Sequence, residues 1–151
     1  MKKIIYCLLV AVMLSACGGV RREGEKRVGD IIMVNGELGV VFAITSDGLH
    51  GKAVSVSKTK CDWYDAKTWC ANLGPAWKLP TIDELRVIYR NKAVINSALQ
   101  TNGYATLSYF YWSSESHNEK GFCAWHVLMD NGNTGNYLKD SGNHVRAVAA
   151  F

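Results

Sequence analysis

Trp77-Lys78-Leu79-Pro80-Thr81-Ile82-Asp83-Glu84-Leu85 is the stretch whose pattern decides the fold. Thr81 and Glu84 have the spacing of a capping box, in which each side chain serves a backbone N–H at a helix start. Pro80 holds the chain extended just before that start. The helix so begun predicts a buried stripe of Ile82, Leu85, Ile88 and Tyr89. Upstream, Trp63, Ala66, Cys70 and Leu73 recur at three- and four-residue steps. They predict an earlier helix over residues 62–73, N-capped by Asp62 and stopped by Gly74-Pro75. Downstream the pattern loosens, and residues 93–100 read as no more than a short helical turn.

β-branched runs flank these helices. Residues 31–34, 39–44 and 53–56 read as strands, joined by the hairpin signals Asn35-Gly36 and Asp47-Gly48. Residues 109–113, 124–129, 137–138 and 145–151 read as later strands, with Asn131-Gly132 as another hairpin signal. Strands, two helices and strands again give an α+β fold. Its two helices pack on a small antiparallel sheet, with an N-terminal β meander.

The chain opens MKKIIYCLLVAVMLSAC. Lys2 and Lys3 precede an apolar run over residues 4–14, too short for a bilayer span of about 20 residues, so it reads as a signal segment. Leu14-Ser15-Ala16-Cys17 resembles the bacterial lipobox. That resemblance implies cleavage after residue 16 and a diacylglycerol, with palmitate-class acyl chains, on Cys17. Gly18 after that cysteine implies the outer membrane, and a binding head on such an anchor is expected to be surface-exposed. Residues 17–27 read as a polar, glycine-rich tether and residues 28–151 as the domain, divided into β hairpins (28–57) and a core (58–151).

Charge narrows the function. The chain has 17 Lys+Arg and 13 Asp+Glu, and residues 28–151 hold eleven of each. The domain is neutral and its basic excess lies ahead of it. A nucleic-acid partner calls for basic charge within the domain itself, so that class is set aside.

Three landmarks come in order: Trp69-Cys70-Ala71-Asn72-Leu73 with the stretch quoted first; Tyr111-Trp112-Ser113-Ser114-Glu115 followed by Ala124-Trp125; and the closing Val145-Arg146-Ala147-Val148-Ala149-Ala150-Phe151. Together they resemble bacterial lipoproteins of the C-type lectin-like fold, over about residues 63–151. Trp77, Trp112 and Trp125 read as core-closing side chains. Arg146, in an apolar strand, is expected to pair with Glu84 or Glu115.

The same resemblance extends to proteins diversified by retroelements through adenine-directed mutagenesis. From residue 131 to 144, leaving out Lys139, every residue can arise from an Asn codon by changing its adenines. This implies a changeable surface over residues 116–144, with His117, Asn118, Phe122, His126, Asn133, Asn136, Tyr137, Asn143 and His144 as ligand contacts. Asn/Gly-rich loops between strands are the plainer alternative.

Neither a metal nor a cofactor is expected. His50, His117, His126 and His144 are scattered, without metal-ligand spacing. Prolines occur only at 75 and 80, so the acidic-Pro-Asn calcium triplet of sugar-binding lectins is absent. Formylglycine-generating oxidases share the fold but need a late cysteine pair, and only Cys123 lies there. Ser113-Ser114 with Glu115 and His117 has no nucleophile elbow around it. Cys61 and Cys70, at opposite ends of a helix roughly 13 Å long, exceed disulfide reach. The resemblance gives Cys70 a structural place whose usual partner is missing, so free thiols are expected. The sequence thus points to a non-catalytic, lipid-anchored envelope protein binding a protein or glycan. A structural envelope lipoprotein without a specific ligand is the second reading.

Overall fold

Asn35 and Gly36 both adopt positive φ, 47° and 91°. That is the geometry of a two-residue hairpin turn with the twist of its flanking strands. It joins β1 (Ile31–Val34) to β2 (Glu37–Ile44). The computed structural model describes residues 22–119 and 121–151. The lipobox, Cys17 and the start of the tether therefore lie outside the described residues.

β2 pairs with β3 (Gly51–Ser55), and β3 with the last strand, β9 (Val148–Ala150), all antiparallel. The second sheet has the order β4 (Thr59–Cys61), β8 (Asn143–Val145), β5 (Phe110–Ser116), β6 (Cys123–Leu128) and β7 (Thr134–Leu138). The β5–β8 contact is parallel and sets Tyr111 beside His144. Among the described residues there are two sheets: the expected N-terminal meander, extended by β9, is the first, and the second gains β4, which the sequence did not suggest.

Between the strands lie α1 (Trp63–Asn72), α2 (Ile82–Arg90) and α3 (Lys92–Thr101), so the class is α+β. Asp62 caps α1 by accepting the Asp65 N–H at 2.9 Å. Both halves of the Thr81–Glu84 capping box are present. α3 replaces the expected short turn: Ile95 and Leu99, one helical turn apart, are fully buried against α2 and the first sheet. Asn91 closes the α2–α3 joint by donating from Nδ2 to the Phe42 carbonyl at 3.0 Å.

Two cores follow. Val40, Phe42, Val54, Leu85, Ile88, Ile95, Leu99, Tyr111 and Val127 form one, and Trp63, Ala66, Cys70, Trp77, Trp112, Ala124 and Val145 the other. Tyr111 and Trp112, adjacent on β5, point into different cores, as strand alternation requires. The second sheet is thus covered on both faces. Cys61, Cys70 and Cys123 are free thiols. Burial pushes the Cys70 thiol up to about 12.

Two expectations are corrected. The closing segment is not one strand: β8 ends at Val145 and β9 begins at Val148, so Arg146-Ala147 carries the chain from one sheet to the other. Arg146 is buried but pairs with neither glutamate. Its Nη1 donates to the carbonyls of Ser55 (2.6 Å) and Val56 (2.8 Å), and its Nη2 to that of Ala105. Converging carbonyl oxygens take the place of a counter-ion. Glu84 instead accepts from Lys52 at 2.7 Å, and Glu115 from the Ile82 N–H at 3.0 Å.

Candidate functional site

The second sheet carries the site. Near the start of β5, between the β4–β8 edge and β7, lies a groove of about 680 Å³. Lys60, Tyr109, Phe110, His126, Tyr137, Gly142, Asn143 and His144 line it. Four of the nine sequence-predicted contacts meet here: His126, Tyr137, Asn143 and His144.

Register places them. His126 on β6 stands opposite Trp112 of β5 and Gly135 of β7, so all three share a face. The His126 and Phe110 rings meet edge to face, with centroids 4.9 Å apart. A Cβ at residue 135 would lie only 2.7 Å from His126 Nε2, so this ring needs a glycine beneath it. His126 is 9% exposed, and its buried Nδ1 has no hydrogen-bond partner. Burial holds its pKa below the usual histidine value.

His144 on β8 stacks on Tyr109, with ring centroids 4.9 Å apart and planes at 12°. Its pKa is lowered by burial first and then by Lys58 and Lys60. Asn143 is buried, and its Oδ1 accepts the His144 backbone N–H at 2.9 Å. Asn143 therefore positions His144 and presents little surface of its own to the groove that it lines. Tyr109 has a φ of 68°, unusual for a bulky residue.

The other five predicted contacts lie elsewhere on the same sheet. His117 stacks on Trp125 at 4.6 Å, and Asn136 is Trp125's partner across β6–β7. Trp125 is half-buried and belongs to neither core, contrary to expectation. Asn118 and Phe122 are exposed at the β5–β6 connection. Asn133 sits in the β6–β7 turn, where its N–H donates to Asn131 Oδ1 at 2.9 Å.

Lys60, Tyr109, Phe110 and Gly142 were missed. Lys60 rides on the unforeseen β4, and its pairing with His144 is long-range. The aromatic run of residues 109–112 reads in the sequence as a strand, which says nothing of the groove that Tyr109 and Phe110 line. Among the described residues no three His, Cys, Asp or Glu side chains gather as a metal cluster.

A family model described as the Lcl C-terminal domain matches residues 43–149. The chain belongs to the Lcl C-terminal domain family. No curated protein matches it. The match to the Lcl C-terminal domain begins late in β2, yet Val40, Val41 and Phe42 just before and at its edge are buried. β1 and the start of β2 are therefore part of the folded unit. The groove lies wholly inside the Lcl C-terminal domain match.

Lys139 within this domain is buried. Its ammonium donates to the Gly121 carbonyl at 2.6 Å and lies 4.5 Å from the Trp63 ring centroid. The Trp63 backbone N–H in turn donates to the Lys139 carbonyl at 2.9 Å.

Proposed function

We propose that this protein is a lipid-anchored, non-catalytic binding module of the outer membrane with a C-type lectin-like fold. In this reading the frame is fixed, and residues 116–144 form a changeable surface for a protein or glycan partner. One correspondence carries it. Of the thirteen positions between 131 and 144 that an Asn codon can yield, Asn143 alone is buried. Lys139, which such a codon cannot yield, is buried and ties the region to Trp63. Apart from Asn143 and the two glycines that the packing needs, Gly132 against Tyr89 and Gly135 against His126, the positions free to change thus coincide with positions that the frame does not need.

The remaining islands agree with this division. Ala124, Val127 and Met129 are completely buried, so substitution there would disturb a core rather than a surface. Asn, Gly, Ser and Tyr on a rigid sheet suit adaptable recognition.

Replacing Asn136, Tyr137 and His144 together by Ala tests the surface on whole-cell and glycan arrays. Loss of parental binding by a variant that still unfolds cooperatively is the expected result. Unchanged binding by the folded triple variant contradicts the reading.

A further inference from the structure

The groove carries cationic and basic groups, and no carboxylate is among its lining residues. Lys60 lines it, Lys58 lies close enough to act on His144, and the buried Nδ1 of His126 has no partner. Tyr109, Phe110 and Tyr137 add large apolar faces.

Resting on the binding reading above, we propose that this groove captures a carboxylate set among apolar groups, as an acidic residue within an apolar segment of a partner protein presents it. The anion sits by Lys60 and the two imidazoles, and the apolar neighbours lie against the three aromatic rings. Charge complementarity selects the anion, because hydrogen bonds to an ionised partner are roughly twice as strong as neutral ones. The sparse polar lining selects a peptide over a saccharide. Each buried sugar hydroxyl needs a partner, and three of the eight lining residues, Tyr109, Phe110 and Tyr137, offer mainly apolar ring faces.

The groups facing the two rings fix the pH behaviour. His144 meets Lys60 on β4, Tyr111 on β5 and Tyr109 ahead of it. His126 meets Phe110 and Trp112 on β5 and Gly135 on β7. The named charged groups on either ring are cationic, and both pKa values lie below the usual one. A bound carboxylate raises both, so binding takes up protons and tightens as pH falls.

The test uses the folded domain, a short Leu-Glu-Phe peptide with both termini capped, its capped Leu-Gln-Phe counterpart and a uronic-acid oligosaccharide, read by NMR at the histidine rings. The Glu peptide is expected to shift the His126 and His144 signals and to bind more tightly at pH 5.5 than at pH 8. The Gln peptide, and the Glu peptide on Lys60→Met, should each bind about tenfold more weakly, roughly 1.4 kcal/mol. Equal binding of the two peptides, or no shift with either, overturns the proposal. If the saccharide alone occupies the groove, the peptide assignment fails while the binding reading stands. If the array binding tested above also survives the triple substitution, the binding reading fails as well.

Discussion

The rings of Tyr109 and His144 lie face to face, 4.9 Å apart and within 12° of parallel, although Tyr109 must hold a φ of 68° to do so. A left-handed conformation costs an ordinary L-residue about 1–2 kcal/mol. Such strain persists where the surroundings over-determine it, and it clusters at ligand sites. Here it holds one wall of the groove upright, with Tyr109 57% exposed.

Tyr109→Gly therefore exchanges two terms of similar size. It relieves the strain and loses a stacking contact of about 0.5–1.5 kcal/mol. Unfolding free energy should stay within about 1 kcal/mol of the parent in urea titration. The His144 pKa, followed by NMR, should rise towards the ordinary value as its ring gains water. A stability loss well above that range would assign Tyr109 to the core instead.

Buried His126 links stability to pH. Its folded pKa lies below the unfolded value, so the unfolded chain binds the proton more readily. Its contribution is complete above about pH 6.5 and is lost as pH falls through the folded value. His126→Phe should flatten that decline. Gly135→Ala should cost about 1–3 kcal/mol by overpacking, and His126→Ala in the same chain should recover part of it. Additive losses in that double-mutant cycle would disprove the contact.

Lys52 joins the first sheet to α2 through Glu84. Burial pushes the Glu84 pKa up, but the hydrogen bonds from Lys52 and the Thr81 N–H outweigh it, and the net shift is downward. The pair thus stabilises the fold above the unfolded glutamate value, near 4.5, and this stability is lost as pH falls below it. Lys52→Met should destabilise by about 1–3 kcal/mol at neutral pH and make the acid limb shallower. An unchanged urea midpoint at pH 7 would count against it.

Arg146 serves three backbone carbonyls from both sides of the sheet-to-sheet crossing. Arg146→Met leaves them without that partner, and about 3 kcal/mol or more should be lost. Arg146→Lys should recover only a fraction, because one ammonium cannot match the planar fork. Full recovery by lysine would show that charge alone matters.

The local parts of this structure were legible in the sequence. The Thr81–Glu84 box, the Asp62 cap and the Asn35-Gly36 turn are decided within four residues, and all three stand as expected. What failed depended on long-range pairing. β4 is three residues long and exists through its pairing with β8. The division of the closing segment follows from two sheets competing for it. The Arg146 partners sit some 90 residues away in sequence for Ser55 and Val56, and carbonyl acceptors leave no residue-type signal. The groove was half legible: its histidines and Tyr137 were named, whereas Lys60 and Tyr109 reach it only through the pairing of β4, β8 and β5.

The central claim is a changeable surface on a fixed frame, and the DNA beside the coding region tests it most directly. A reverse-transcriptase gene and a near-copy of the segment encoding residues 116–144 are expected there. The two copies should differ at adenines in codons for the exposed positions of 131–144, with the Ala124, Val127 and Lys139 codons unchanged. Absence of any repeat, or differences falling on those buried codons, would contradict it.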